Sequence, residues 1–157
     1  MESLYSEKVG YKNGFLGDNT AGSSSARFGL GDAYKVAFVI EAASHASDLD
    51  ITVNQHDAAS GGTTKVLATE NPYYEKLGAA TKFTKTVPSS EVSNYVLTGF
   101  NGSTGTVVVE VLAEDLDRDL DFSHVSVTLA ASGGARVVHT SIVSNDMRKS
   151  PAYDQDL

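Results

Sequence analysis

The stretch AEDLDRDLDFSHVSVTL, residues 113–129, decides the fold. In its second half Val125, Val127 and Leu129 alternate with Ser126 and Thr128, the period of two that a strand with one buried face requires. In its first half Asp115, Asp117, Asp119 and Asp121 alternate with Leu116, Arg118 and Leu120. Four aspartates disfavour regular strand and favour a turn, so the stretch reads as an acidic connection that empties into a half-buried strand.

The acidic connection is where a metal or catalytic reading would start. Asp117, Asp119 and Asp121 have the spacing that opens a calcium loop of the EF-hand type. The rest of that loop is missing: Phe122 stands where the sharp turn needs glycine, Thr128 stands where a bidentate glutamate belongs, and neither flank has a helical period. A solvated strand connection without a metal is the expectation. Nor do these carboxylates indicate a glycosidase pair, because spacing along the chain says nothing about separation in space.

Outward from this stretch the same alternation recurs. Residues 34–41 place Val36, Phe38 and Ile40 on one face, and residues 49–54 set Leu49, Ile51 and Val53 against Asp50, Thr52 and Asn54; the two are expected to form an antiparallel pair. Shorter strands are predicted over 63–67 and 81–87, the latter stopped by Pro88. Residues 95–100 and 106–112 flank Asn101-Gly-Ser-Thr-Gly105, the strongest hairpin signal in the chain. Val107, Val109 and Val111 alternate with Val108, Glu110 and Leu112, which implies a central strand apolar on both faces for part of its length. Gly133-Gly134 separates 125–130 from a last strand over 135–143, a second expected reversal. Eight strand candidates, no helical period and no internal repeat specify an all-β fold, an antiparallel β-sandwich or jelly-roll-like domain.

Residues 1–31 fit less easily. Leu4, Tyr5, Val9, Tyr11, Phe15, Leu16, Phe28 and Leu30 are scattered among glycine, serine and asparagine without period. So many large apolar side chains imply an arm that orders by lying on something else, its own sandwich or a neighbour. An ordinary first strand plus loop is the alternative. The expected organisation is an N-terminal arm over 1–31, a β-sandwich over 32–143 and a polar C-terminal tail over 144–157.

Composition excludes several classes. The chain has 157 residues, enough for one domain with a real core. Twelve Lys and Arg against 20 Asp and Glu give a formal charge of −8, which opposes nucleic acid as a partner. Without cysteine there is no disulfide, thiolate metal site or cysteine nucleophile. No secretory signal opens the sequence, and no apolar run approaches the ~20 residues of a membrane helix, so no membrane partner is expected.

Catalytic signatures are equally sparse. His45, His56, His124 and His139 meet no zinc spacing and read as strand-end or surface histidines. No Gly-x-Ser-x-Gly elbow is present, and Gly29-Leu-Gly31 leads into a strand instead of a phosphate-binding helix. The expectation is a protein without enzymatic activity or cofactor. Tyr73 and Tyr74, beside the turn at Asn71-Pro72, would suit a sugar-stacking platform and support a carbohydrate-binding module as the alternative class.

One family likeness runs through these elements. Glu114-Asp-Leu-Asp117, then Asp121-Phe-Ser-His-Val-Ser-Val127, a closing strand and the Asp146-Met-Arg-Lys-Ser-Pro-Ala152 tail resemble the head decoration (cement) proteins of tailed bacteriophages. The resemblance extends to AYKVAFVIE at 33–41 and to the run from Phe83 to Phe100, about two thirds of the chain, while the tail from Arg148 to Leu157 is more polar than the family pattern. It implies a virion protein made in the host cytoplasm and placed on the capsid exterior, with the major capsid protein and two further copies of itself, a homotrimer, as partners. On that view Leu4, Tyr5, Tyr11, Phe15, Leu16, Phe28 and Leu30 are candidate contacts with the capsid or a neighbouring subunit. A phage tail or head-to-tail junction protein is the alternative within the same setting.

Overall fold

The protein's structure, a computed structural model, describes residues 10–31, 33–44 and 46–147. Among these, twelve strands form two antiparallel sheets. The first has the order β1 (Gly10–Asp18), β12 (Val137–Met147), β4 (Ala33–Ala42), β10 (Gly105–Leu112), β7 (Tyr73–Leu77), β8 (Thr84–Thr86). The second has the order β2 (Ser23–Ser24), β11 (His124–Leu129), β5 (Leu49–His56), β6 (Thr64–Val66); β3 (Phe28–Gly29) also pairs with β11, and β9 (Asn94–Leu97) with β5. The all-β sandwich expected from the alternation is the fold. No helix among the described residues is long and apolar enough to cross a membrane.

The core lies between the sheets, where the alternation predicts it. Val36, Phe38 and Ile40 of β4, Val107, Val109 and Val111 of β10, and Val138 and Ile142 of β12 meet Ile51 and Val53 of β5 and Val125, Val127 and Leu129 of β11, all buried. Each such side chain contributes about 1.5–3 kcal/mol by leaving water.

The pairing differs from the expectation. Residues 34–41 and 49–54 do not pair: β4 bonds to β10 and β12, and β5 to β11, β6 and β9. The Asn101-Gly102 connection is not a hairpin either, since β9 belongs to the second sheet and β10 to the first. The Gly133-Gly134 connection likewise carries the chain from β11 to β12, across the sandwich. Turn residues specify a change of direction and leave the partner open. Gly102 does adopt a left-handed φ of 76°, but the fully buried Phe100 just before it draws the chain through the core to the other sheet.

These three crossings lie at one end of the sandwich and share one side chain. Arg136, 1% exposed, donates from Nη2 to Ser47 O at 2.6 Å and Phe100 O at 3.3 Å, and from Nη1 to Asp48 O at 3.4 Å. Asn19, also buried, joins the cluster: its N–H donates to Arg136 O at 2.8 Å and its side-chain amide to Ala130 O at 2.8 Å. Buried carbonyls at a chain crossing need donors, and these two residues supply them.

Several boundaries move. From Gly10 on, the N-terminal stretch lies on its own sandwich: β1 pairs along β12, and β2 and β3 pair with β11. Tyr73–Leu77, absent from the predicted strands, is a strand between β10 and β8, whereas the run predicted over 81–87 keeps only Thr84–Thr86 as strand. The last strand starts at Val137 and continues to Met147, four residues past its expected end at 143; residues 148–157 lie outside the described residues.

Candidate functional surfaces

The acidic connection closes the end of the sandwich opposite the three crossings. Two short 3-10 turns, Ala113–Asp115 and Arg118–Leu120, carry it. Asp115 Oδ2 accepts the Leu112 N–H at 2.9 Å and the Asn71 amide at 2.5 Å. Asp117 and the buried Gln55 exchange two hydrogen bonds, each 2.9 Å, and Lys65 pairs with the same carboxylate. Hydrogen bonding from Lys65 holds the Asp117 carboxyl below its usual range. Asp119 and Asp121 remain exposed, with Asp121 in the left-handed region at φ 64°. The aspartates therefore serve separate partners, and among the described residues no three of His, Asp and Glu converge as an ion site.

The outer surface of the second sheet is a hydroxyl and amide ladder. Ser24 and Thr128 meet at 3.0 Å, and Asn54 donates to Thr128 Oγ1 at 2.9 Å. Further along, His56 ends β5, a strand-end histidine as the sequence suggests, but it is 4% exposed and so not a surface one. Its Nε2 lies 2.8 Å from Ser126 Oγ and its Nδ1 2.8 Å from Thr64 Oγ1. Burial, then Arg27 and His124, push its pKa down to about 4 against a small opposing effect of Asp57. A serine–histidine contact of this length invites a catalytic interpretation, but Ser126 is buried and the far ring nitrogen meets a hydroxyl instead of a carboxylate. His45 lies outside the described residues; His124 and His139 are partly exposed strand residues.

The seven candidate contact residues divide. Leu4 and Tyr5 lie outside the described residues, and Tyr11 is described only in its backbone, paired with Val143. Leu30 is fully buried, and Phe28 is partly buried with its side chain packed against the core. Phe15 is half-buried opposite the buried Thr140. Leu16 is 72% exposed, on the outer surface opposite His139.

Leu16 belongs to a wider pattern that alternation alone does not reveal. Of the large apolar side chains that reach solvent, Leu16 and Val137 (56%) sit at the β1–β12 edge of the first sheet. Phe83 (46%) and Val87 (61%) flank β8 at its other edge. Lys76 Nζ lies 5.5 Å from the Phe83 ring centroid, and Lys82 and Lys85 are exposed beside it. Val137 and Phe83 were not singled out by sequence; their signal is an apolar residue at the exposed end of a strand.

Tyr73 and Tyr74 do not form a joint platform. They are consecutive in β7, so their side chains leave opposite faces of the sheet. Tyr73 packs on the core and sets its ring edge-on to Tyr95, 5.5 Å between centroids and 71° between planes.

No protein-family model matches the chain, and no curated protein does. Among solved structures, the SPBc2 prophage-derived protein YomS is similar at a TM-score of 0.45 and 14% identity, over 87% of this chain and 95% of that one.

Proposed function

We propose that this protein is a structural component of a phage virion, a decoration or cement protein that binds the outside of the head and reinforces contacts between capsomers of the major capsid protein. It acts without catalysis, as a homotrimer assembled in the host cytoplasm. The observation that carries this reading is a set of exposed apolar side chains on the first sheet: Leu16 on the edge strand β1 with Val137 beside it on β12, Phe83 and Val87 flanking β8 at the other edge, and Tyr34 on β4 between them, all where a neighbouring protein can cover them. The strand and turn pattern shared with head decoration proteins supports the setting. The polar clusters support the absence of chemistry, since Asp115, Asp117, His56 and Arg136 are each engaged in holding the fold. Many copies, each covering modest area, would strengthen a shell by multivalency.

The test is co-sedimentation of the purified protein with expanded capsids of the encoding phage that lack it. Saturable binding at a fixed number of copies per capsid, with a rise in the temperature at which the capsids break, is the expected result. Capsids that neither bind the protein nor gain stability would defeat the proposal.

A further inference from the structure

We propose that the β7–β8 hairpin is the docking surface of this protein, and that it takes an acidic segment on the outer surface of the shell protein. The inference rests on the structural reading above and names the surface used and the chemistry of the partner that fits it.

Three lysines are set apart by what the other cations do. Among the described side chains, Arg27, Arg118 and Arg136 donate to backbone carbonyls, Lys35 pairs with Glu110, and Lys65 pairs with Asp117. Lys76, Lys82 and Lys85 meet no carboxylate or carbonyl of the described residues, and all three lie between Tyr73 and Val87. A chain of net charge −8 thus ties down its other described cations and leaves these three together at one edge of the first sheet.

The register gathers apolar side chains around them. Tyr73 packs on the core, so Tyr74 and Lys76 leave the outer face of β7. Lys85 lies opposite Tyr74, and Phe83 and Val87, two residues to either side of Lys85, share its face. The Phe83 ring beneath Lys76 Nζ agrees with that placement. Glu75, the one carboxylate between Tyr73 and Val87, alternates to the other side. From Tyr74 the same row continues through Val108 and Val39, both half-buried, so the apolar surface runs on into the sheet.

Charge of one sign beside exposed aromatic and aliphatic side chains calls for an anionic partner with apolar groups of its own. The net negative charge of the chain repels a polyanion such as nucleic acid at long range, whereas a short acidic segment answers the lysines locally. A protein surface also supplies apolar contacts for Phe83 and Val87, which a phosphate backbone does not. The β1–β12 edge makes no such selection, because β1 carries both Lys12 and Asp18.

Co-sedimentation of the full chain with capsids that lack it, across a titration, tests this. K82Q/K85Q and V66E/V96E each make the net charge of −8 more negative by two, the first on the hairpin and the second at exposed positions of the other sheet. At ~0.15 M salt K82Q/K85Q is expected to weaken binding about tenfold and F83S by a similar factor, while V66E/V96E binds as the wild type does, all with unchanged far-UV spectra. Wild-type affinity in K82Q/K85Q or in F83S, or an equal loss in V66E/V96E, would overturn the hairpin as the docking surface and leave the capsid role standing. A wild type that binds no capsids would remove both. A gel shift with duplex DNA is expected to show no complex; a complex that K82Q/K85Q abolishes would overturn the acidic protein partner in favour of nucleic acid.

Discussion

The Nη2 atom of Arg136 lies 2.6 Å from the carbonyl oxygen of Ser47, so a cation inside the sandwich fastens the β11–β12 crossing to the β4–β5 crossing. The same group reaches Asp48 O and Phe100 O. Burial lowers the guanidinium pKa, nearby Asp48 opposes that, and an arginine still remains charged. Replacing Arg136 with methionine keeps most of the volume but strands three carbonyls in the interior. The expected loss is about 3–5 kcal/mol of unfolding free energy, read from denaturant midpoints. A loss below about 1 kcal/mol would show that water replaces the guanidinium at no cost.

His56 makes stability depend on pH with a definite sign. Its pKa is about 4 in the folded protein against about 6.5 in the unfolded chain, so the unfolded chain takes up the proton first on acidification. The stability it contributes is complete above pH ~6.5, declines as pH falls toward 4 and levels off below, a total of about 3 kcal/mol. The unfolding free energy measured between those limits should fall by roughly that amount in the wild type. In H56Q, which keeps hydrogen-bonding capacity without the charge, the histidine part of that slope should vanish.

Gly14 sits at the bulge in β1, where an added Cβ would lie 2.9 Å from both Thr140 Cγ2 and the Thr140 carbonyl oxygen. The backbone oxygen cannot rotate away. Gly14→Ala should therefore cost about 1–3 kcal/mol by forcing β1 off β12, and amide exchange should show the loss of protection confined first to Gly10–Asp18 and its partners on β12.

Calcium should leave the protein unchanged. A ligand at a hundred times its dissociation constant raises stability by about 2.7 kcal/mol, which a thermal melt resolves easily. Because Asp115 and Asp117 are bound to different protein groups and Asp119 and Asp121 face solvent, millimolar calcium is expected to produce no shift in midpoint. A clear increase would reinstate the calcium loop.

The layers of the sandwich were legible because burial follows alternation: Val36, Phe38, Ile40 and Val125, Val127, Leu129 face inward as their spacing demands. Their partners were not, because Asn101-Gly102 and Gly133-Gly134 encode a bend without encoding which sheet receives the strand. β1 stood only as the alternative to an arm, since the bulge at Gly14 shifts its phase between Asn13 and Phe15 and hides the period. Arg136 escaped because arginine is ordinarily exposed, and only the geometry of three crossings gives it a buried role. Within the candidate surface Leu16 was legible as an apolar residue in a polar setting, whereas its likeness to the far edge at Phe83 required the sheet order.

That sheet order has β12 lying between β1 and β4, so the last strand in the sequence occupies the gap between two of the earliest. A chain leaving the ribosome cannot pair β1 with its proper neighbour until residues 137–147 have emerged; β5–β6 and β7–β8 are short sequential pairs, whereas the central β4–β10 and β5–β11 pairs join strands far apart in sequence. Closing the first sheet is therefore a late step of high contact order, and until it happens β1 and one side of β4 keep open strand edges.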